Sequence, residues 1–349
     1  MKTLKIQTQS SQSIVFLGES LANLKQYIPA HKTIIITDTN ISKIYQNQFP
    51  DCPVIKIGTG EAIKTLSTVE EICIQLSEWN IDRSGFIVAI GGGLVCDLAG
   101  FAASIYLRGI RFGFVSTSLL SQVDASIGGK NGANLLGYKN RIGTWNQPDF
   151  VICDTELLQS LPKEEFISGL GEVVKHAIIA DRDYFSFLSL NHTKILNLDK
   201  EILEEMVWRS LEIKAEIVSR DEKEMGERRK LNFGHTFGHA VEKVCAIAHG
   251  KAVSIGMILA CQLAIQKGIF SLVELEKIQN LLTDFGLPTT IQADKKKLQD
   301  AIQKDKKREQ NSIYFVLPKQ IGNAIIEPID FTELNNAVDK FIVTERSFS

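Results

Sequence analysis

Near residue 156 the hydrophobic patterning of this chain changes period, and few folds accommodate such a change. Before it, short apolar runs alternate with helical stretches. TIIITD (33–38), PVIKIG (53–58), GFIVAIGGG (85–93), FGFVST (112–117) and FVICDT (150–155) predict buried strands. Residues 18–28, 61–79 and 94–104 carry apolar side chains at helical spacing. Strand–helix alternation implies a parallel sheet covered by helices, with ligands beyond the carboxyl ends of its strands. After residue 156, long amphipathic patterns predict helices over 163–180, 199–222, 233–247, 250–267 and 272–285. Near the end, IYFVLPKQIGNA (313–324) predicts a hairpin with Gly322 and Asn323 at its turn. The chain has 349 residues, more than one domain usually holds. The expected organisation is therefore an α/β domain over 1–156 followed by a mainly α-helical domain over 157–349.

A net charge of −2 gives no reason to expect nucleic acid or an anionic membrane as partner. The opening MKTLKIQTQS lacks the apolar core of a signal peptide, and no apolar run reaches the roughly 18 residues of a membrane span. Six scattered cysteines without a CxxC pair suit reduced, packed thiols, so a cytoplasmic location is expected.

Three patterns carry chemistry. First, FIVAI runs into Gly91, Gly92 and Gly93 and then into LVCDLAGFAAS. Strand, glycines, helix is the order that brings backbone N–H groups and a helix N-terminus to a pyrophosphate. The match to GxGxxG is incomplete, because Cys96 takes the third glycine's place, and a tight structural turn has the same local look. Asp97 nearby, Asp38 and Asn40 after TIIIT, and Thr117 and Ser118 after FGFVS are further candidates for nucleotide contact.

Second, LNFGHTFGHAVE places His235 and His239 four apart on one helical face, and His249 opens the next helix. Upstream, GLGEVVKHAII carries Glu172 in an apolar setting, where a carboxylate is costly unless paired or bound to metal. One carboxylate with two imidazoles suits Zn²⁺ or a similar divalent ion. Zinc proteases need glutamate directly after the first histidine, and Thr236 stands there instead. HxxxH alone is equally compatible with two hydrogen-bonded helical histidines. The glycines at 234, 238 and 250 favour a crowded site where ligand or backbone approaches closely. Spacing does not separate His235 from His239.

Third, VDASIGGKNGANLLGYKNRIG (123–143) holds Asp124, Lys130, Lys139 and Asn140 among five glycines, too many for a plain helix. Lys175 shares a helical face with Glu172, Lys214 sits on the apolar side of its helix, and Arg228 and Asn232 immediately precede the histidines. A lone helical lysine is ordinarily a solvated charge. Several beside one metal site point to a pocket for phosphate and carboxylate.

Taken together, GGG…DLAGF, YLRG, VDASIGGK, GYKN, GEVVKH, LNFGHTFGHA and HGKAVSIGM resemble the 3-dehydroquinate synthases, in that order, from TDTN near the start to DKK near the end. The resemblance implies a Rossmann-like NAD-binding domain, then a helical metal-binding domain, with the active site in the cleft between them. It implies Glu172, His235 and His249 as ligands of Zn²⁺ or Co²⁺, with His239 acting on substrate. Asp38, Asn40, Glu61, Lys64, Gly91, Gly92, Gly93, Asp97, Thr117, Ser118 and Lys139 match the family's NAD contacts. Asp124, Lys130, Asn140, Lys175, Lys214, Arg228, Asn232, His239 and Lys306 match its substrate contacts. Of these, His239, Lys175, Lys214, Asp124 and Asn232 stand at catalytic positions. Arg108 of YLRG resembles an arginine that reaches substrate from a neighbouring subunit, which implies a homodimer. Three positions depart from the family pattern: Cys96 for glycine, Ser118 for threonine and Lys251 for the glutamate of HGEA.

The activity so implied converts 3-deoxy-D-arabino-heptulosonate 7-phosphate to 3-dehydroquinate and phosphate, a shikimate-pathway step toward aromatic amino acids. It proceeds by transient oxidation with NAD, phosphate elimination, re-reduction and intramolecular aldol closure. Two alternatives share the motifs in part: another sugar-phosphate cyclase, and a metal-dependent polyol dehydrogenase. The density of basic groups favours the synthase.

Overall fold

The computed structural model describes residues 1–342 other than Ser10, Ala30 and 306–311. Contacts divide the chain into two compact units: Met1–Leu161 with Leu203–Lys223, and Pro162–Ile202 with Glu224–Ser349.

The first unit is built on strands β1 (Lys2–Gln7), β2 (Gln12–Leu17), β3 (Thr33–Asp38), β4 (Val54–Ile57), β5 (Phe86–Gly91), β6 (Arg111–Ser116), β7 (Lys130–Leu135), β8 (Tyr138–Trp145) and β9 (Phe150–Cys153). Helices α1 (Thr39–Tyr45), α2 (Leu66–Glu78) and α3 (Gly93–Ile105) lie between them in sequence. Seven strands form one sheet in the order β1-β2-β9-β6-β5-β3-β4. All its pairs are parallel except β1 with β2. The central strands β3 (TIIITD) and β5 (FIVAIG) carry buried apolar residues on both faces, as burial on both sides demands. The stretch predicted as a helix over 18–28 is a short 3₁₀ turn, Leu21–Gln26, whose Leu21 and Leu24 join the core.

That turn is pinned by Glu19, whose carboxylate accepts from the Tyr27 hydroxyl, from Asn23 Nδ2 at 2.8 Å and from the Ser20 N–H at 2.9 Å. The Tyr27 hydroxyl, with Asn23, holds the Glu19 carboxyl below its ordinary value. A depressed carboxyl stabilises the fold above its unfolded pKa and loses that contribution as pH falls through the folded one. Tyr27→Phe is therefore expected to cost about 2 kcal/mol near neutrality. The gap to the native protein should narrow in acid, as urea melts across pH would register.

Glycines 132 and 143 face each other in the β7–β8 hairpin, where a Cβ on Gly143 would lie 2.1 Å from the Asn131 carbonyl oxygen. The hairpin packs on α3, and Asn131 occupies the space that a Cβ on Gly100 would need. Close approach thus requires glycine at 132 and 143, while Gly137, at φ +75 in the turn, meets nothing within 4 Å.

In the second part of the chain run α4 (Lys163–Ala180), α5 (Arg182–Leu196), α6 (Lys200–Arg220), α7 (His235–Cys245), α8 (His249–Gln266), α9 (Leu272–Asp284) and α10 (Lys295–Asp305). The hairpin β10 (Ser312–Gln320) and β11 (Asn323–Asp330) and the helix α11 (Phe331–Phe341) follow. Its turn lies at Ile321 and Gly322, with Gly322 at φ +88, and Asn323 already belongs to β11. From Leu203 onward α6 belongs to the first unit, although residues 157–349 were expected to form one domain. Contacts that tie it there include Lys2 with Glu205 at 3.0 Å, Thr8 donating to Glu222 at 3.0 Å, and Lys214 with Asp124 at 2.6 Å.

All six cysteines are free, and burial pushes the thiols of Cys96, Cys153 and Cys261 up, which leaves them unreactive. Among the described residues no helix is long and apolar enough to cross a membrane.

Candidate functional site

In the first unit the chain passes from β3 to β4 on one side, then returns to place β5 on the other. The order reverses between β3 and β5, and the crevice at such a point is where open α/β sheets bind ligands. Asp38 ends β3 and Gly91 ends β5. Asp38 Oδ1 caps α1 through the N–H groups of Asn40 and Ile41, at 2.8 and 2.9 Å. Gly91, Gly92 and Gly93 are there for close approach rather than unusual dihedrals. A Cβ on Gly91 would lie 2.5 Å from Val95, one on Gly92 3.2 Å from Ser118 Oγ, and one on Gly93 2.9 Å from Ala125. Helix α3 starts at Gly93 with no side-chain cap, so its N-terminus presents backbone donors. The Thr117 N–H donates to the Gly91 carbonyl at 3.0 Å, and Ser118 Oγ meets Ser121 Oγ at 3.0 Å.

Helix α3 also carries one member of a part-buried ion pair. Lys64 Nζ reaches Asp97 Oδ2 at 2.5 Å and Asn140 Oδ1 at 2.6 Å. Burial raises the Asp97 carboxyl, and Lys64 opposes that rise. Glu61 stands 3.7 Å from Lys139 and accepts from Asn134, whose own side-chain oxygen accepts the Asn140 N–H. Asn134 escaped the sequence reading, since a lone asparagine in a glycine-rich stretch carries no pattern. Asn140, expected with the substrate group, thus shares a network with residues expected at NAD. Asp124 and Lys214 pair at 2.6 Å, with Lys214 almost fully buried. Exposed Lys130 lies 5.3 Å above the Trp145 ring. Arg108 closes a tight turn at φ +71, beside exposed Ile105 and Leu107.

In the second unit Glu172 of α4 is fully buried and pairs with Lys175, one helical turn on. Its Oε1 lies 3.4 Å from His235 Nε2 and 3.3 Å from His249 Nε2. Donors held about 2.1 Å from a tetrahedral centre stand about 3.4 Å apart, so this trio has the spacing of a zinc-type site. The three ligand atoms all lie within 4.8 Å of one another. Glycines produce this convergence. Gly234, at φ +79, opens α7, and a Cβ on Gly256 of α8 would sit 1.9 Å from the Gly234 carbonyl oxygen. The crowding read from the glycines around the histidines is thus backbone meeting backbone. Burial holds the His235 imidazole well below its ordinary pKa, which leaves it neutral and able to bind metal. Burial would depress His249 also, but the carboxylates of Glu172 and Glu242 outweigh it and raise the ring to about 9.

His239, Glu242 and His249 form a second cluster of possible ligands. The two clusters differ in which nitrogen they use: Glu242 meets Nδ1 of His249, the side facing away from Glu172. His239 lies with its ring centre 5.3 Å from that of His235. Arg228 is 2% exposed, and Asn232 donates to Glu224. Lys306 lies outside the described residues. Of the departures, Cys96 is buried with Sγ 3.9 Å from the Gly91 carbonyl, and Lys251 pairs with Glu164. Glu242 was not singled out from the sequence, although HxxxHxxE sets it on the face of both histidines.

A switch-point sheet with a glycine-lined helix start, joined to a helical unit with a Glu–His–His centre, is the architecture of the sugar-phosphate cyclases. The structure of 2-deoxy-scyllo-inosose synthase complexed with carbaglucose-6-phosphate, NAD⁺ and Co²⁺ is 26% identical to this chain, with a TM-score of 0.86, covering 98% of this chain and 100% of that one. The sequence matches the 3-dehydroquinate synthase N-terminal family over 54–168 and the 3-dehydroquinate synthase C-terminal family over 169–308. Curated relatives include the 3-dehydroquinate synthase of Thermodesulfovibrio yellowstonii, 41% identical over 89% of this chain and 89% of the relative. That of a Sulfurovum species is 45% identical over 84% of each. The chain belongs to the 3-dehydroquinate synthase family.

Proposed function

We propose that this chain converts 3-deoxy-D-arabino-heptulosonate 7-phosphate to 3-dehydroquinate and phosphate, using NAD and one divalent ion, Zn²⁺ or Co²⁺. The observation that carries the reading is the 3.3–3.4 Å spacing of the His235 and His249 nitrogens from one buried Glu172 oxygen. When bound, NAD supplies a reversible hydride acceptor and the ion a Lewis acid at the substrate hydroxyls.

The protein's own groups bind, orient and move protons. The backbone at Gly91, Gly92 and Gly93 receives the pyrophosphate, with Thr117 and Ser118 beside it, while Asp38, Asn40, Glu61, Lys64, Asp97 and Lys139 serve the rest of NAD. Lys130, Asn140 and Lys306 hold the substrate phosphate; Arg228 and Lys214 hold its carboxylate, with Asp124 and Asn232 orienting the hydroxyls. His239 and Lys175 exchange protons at the reacting hydroxyls. Holding the substrate, and the chain that opens from it after re-reduction, in one conformation favours elimination and then aldol closure through proximity. A homodimer in which Arg108 serves the neighbouring subunit is supported by exposed Ile105 and Leu107 around that turn. A cytoplasmic setting is supported by six free cysteines.

Incubation with the heptulosonate phosphate should release phosphate and dehydroquinate in equal amounts, with no net rise in NADH absorbance. NADH accumulating with turnover would replace this reading with a polyol dehydrogenase. No turnover of this substrate, with phosphate released from another sugar phosphate, would replace it with another sugar-phosphate cyclase.

A further inference from the structure

His249 and His235 are oriented in different ways. His235 Nδ1 faces the Phe233 carbonyl at 3.2 Å, a main-chain partner that no substitution removes. His249 Nδ1 faces a side chain, Glu242 Oε2, at 3.3 Å. Glu242 lies on α7, the helix that carries His235, and is only 10% exposed. His249 is the first residue of α8 and is 27% exposed, so packing alone constrains its ring less than that of His235, at 13%.

We propose that Glu242 is a positioning residue of the metal centre, accepting the Nδ1–H of His249 and so aiming Nε2 at the point shared by Glu172 and His235. The inference rests on the metal reading of those three residues. An imidazole binds metal through an unprotonated nitrogen, and its two neutral tautomers differ in which nitrogen that is. A carboxylate at Nδ1 keeps the proton there, so that Nε2 is the nitrogen that gives up its proton to a metal, and makes that nitrogen a stronger donor. The 3.3 Å contact from Nε2 to Glu172 Oε1 shows the ring already turned that way. Glu242 also ties a ligand on α8 to the helix bearing the other histidine, so the two imidazoles keep their separation.

The test uses the full chain stripped of metal and titrated with Zn²⁺ against a chromophoric chelator, with Co²⁺ absorption as a record of ligand geometry. Glu242→Gln, which keeps the shape and loses the charge, is expected to weaken Zn²⁺ binding by roughly 10–100-fold and to alter the Co²⁺ bands. Glu242→Asp, which keeps the charge on a shorter arm, is expected to fall between that and the native protein. Glu276→Gln, which removes an exposed carboxylate of α9 in the same unit, should leave both readouts unchanged. His249→Ala is run beside them. If it binds Zn²⁺ as the native protein does, the metal reading fails and the proposal falls with it. If His249→Ala loses Zn²⁺ while Glu242→Gln and Glu242→Asp bind within about threefold of native with unaltered Co²⁺ bands, the positioning role alone is overturned.

Discussion

Alanine at His235 is expected to strip the metal from the protein, whereas alanine at His239 is expected to leave it bound and slow the chemistry. The two side chains sit one turn apart on α7, with ring centres 5.3 Å from each other, so nearness does not distinguish them. The difference lies in what each nitrogen faces. His235 Nε2 shares the Glu172 oxygen with His249, and losing it removes one of three converging donors. Zinc affinity should then fall by more than the roughly 10–100-fold typical of an outer-shell change. His239→Ala should lower the single-turnover rate by about 10²–10⁴-fold, the usual contribution of a general acid–base residue. Metal analysis of the two purified variants, beside single-turnover phosphate release, checks both halves. Metal lost from His239→Ala and kept by His235→Ala would reverse the assignment and point to the cluster of His239, Glu242 and His249. Metal kept by both would remove the centre from α7.

The parts of the fold that can be read from the residues are those whose burial is one-sided or total. Strands β3, β5, β6 and β9 are mostly apolar and buried, and α4, α7 and α8 show helical periods, because these elements meet the core along much of their length. Strands β1 and β2 lie at one edge of the sheet, where KTLKIQ and QSIVFL mix polar and apolar positions and leave only part of each buried. The β7–β8 hairpin is concealed by its glycines, which serve close contacts rather than propensity. The membership of α6 in the first unit shows in contacts between residues 90 to 203 positions apart, and no local pattern encodes those. The site divides in the same way. Glu172 stands out as a charge in an apolar run, but the positions of His235 and His239 relative to Glu172 differ only once α8 brings His249 from another part of the chain. Glu242 escaped attention because its significance depends on that same arrival.

That arrival is governed by Gly250, and Gly250→Ala is expected to damage stability and metal binding together. A Cβ there would lie 1.7 Å from the Ser168 carbonyl oxygen, far inside any tolerated contact. Gly171, on the next turn of α4, also approaches Gly250, with its own ideal Cβ 2.7 Å from the Gly250 carbonyl oxygen. The Gly250 N–H also donates to Ser168 Oγ at 3.0 Å, so the crossing is bonded as well as packed. Alanine would gain about 0.5–1 kcal/mol of helix preference over glycine, whereas overpacking of this kind costs about 1–3 kcal/mol or more. The clash wins, because the atom met is main chain and no rotamer change relieves it. Separation of α4 from α8 moves Glu172 away from His249, the residue next to Gly250, and a shift approaching 1 Å should weaken Zn²⁺ binding at least about tenfold. Gly268→Ala provides the contrast at the other end of α8. Its φ of +72 makes alanine strained by about 1–2 kcal/mol, yet nothing lies within 4 Å of the added carbon. Urea melts of the metal-free variants should therefore show both destabilised, while Zn²⁺ titration should show only Gly250→Ala weakened. Equal Zn²⁺ affinity in the two would mean that the α4–α8 approach does not set the Glu172–His249 distance.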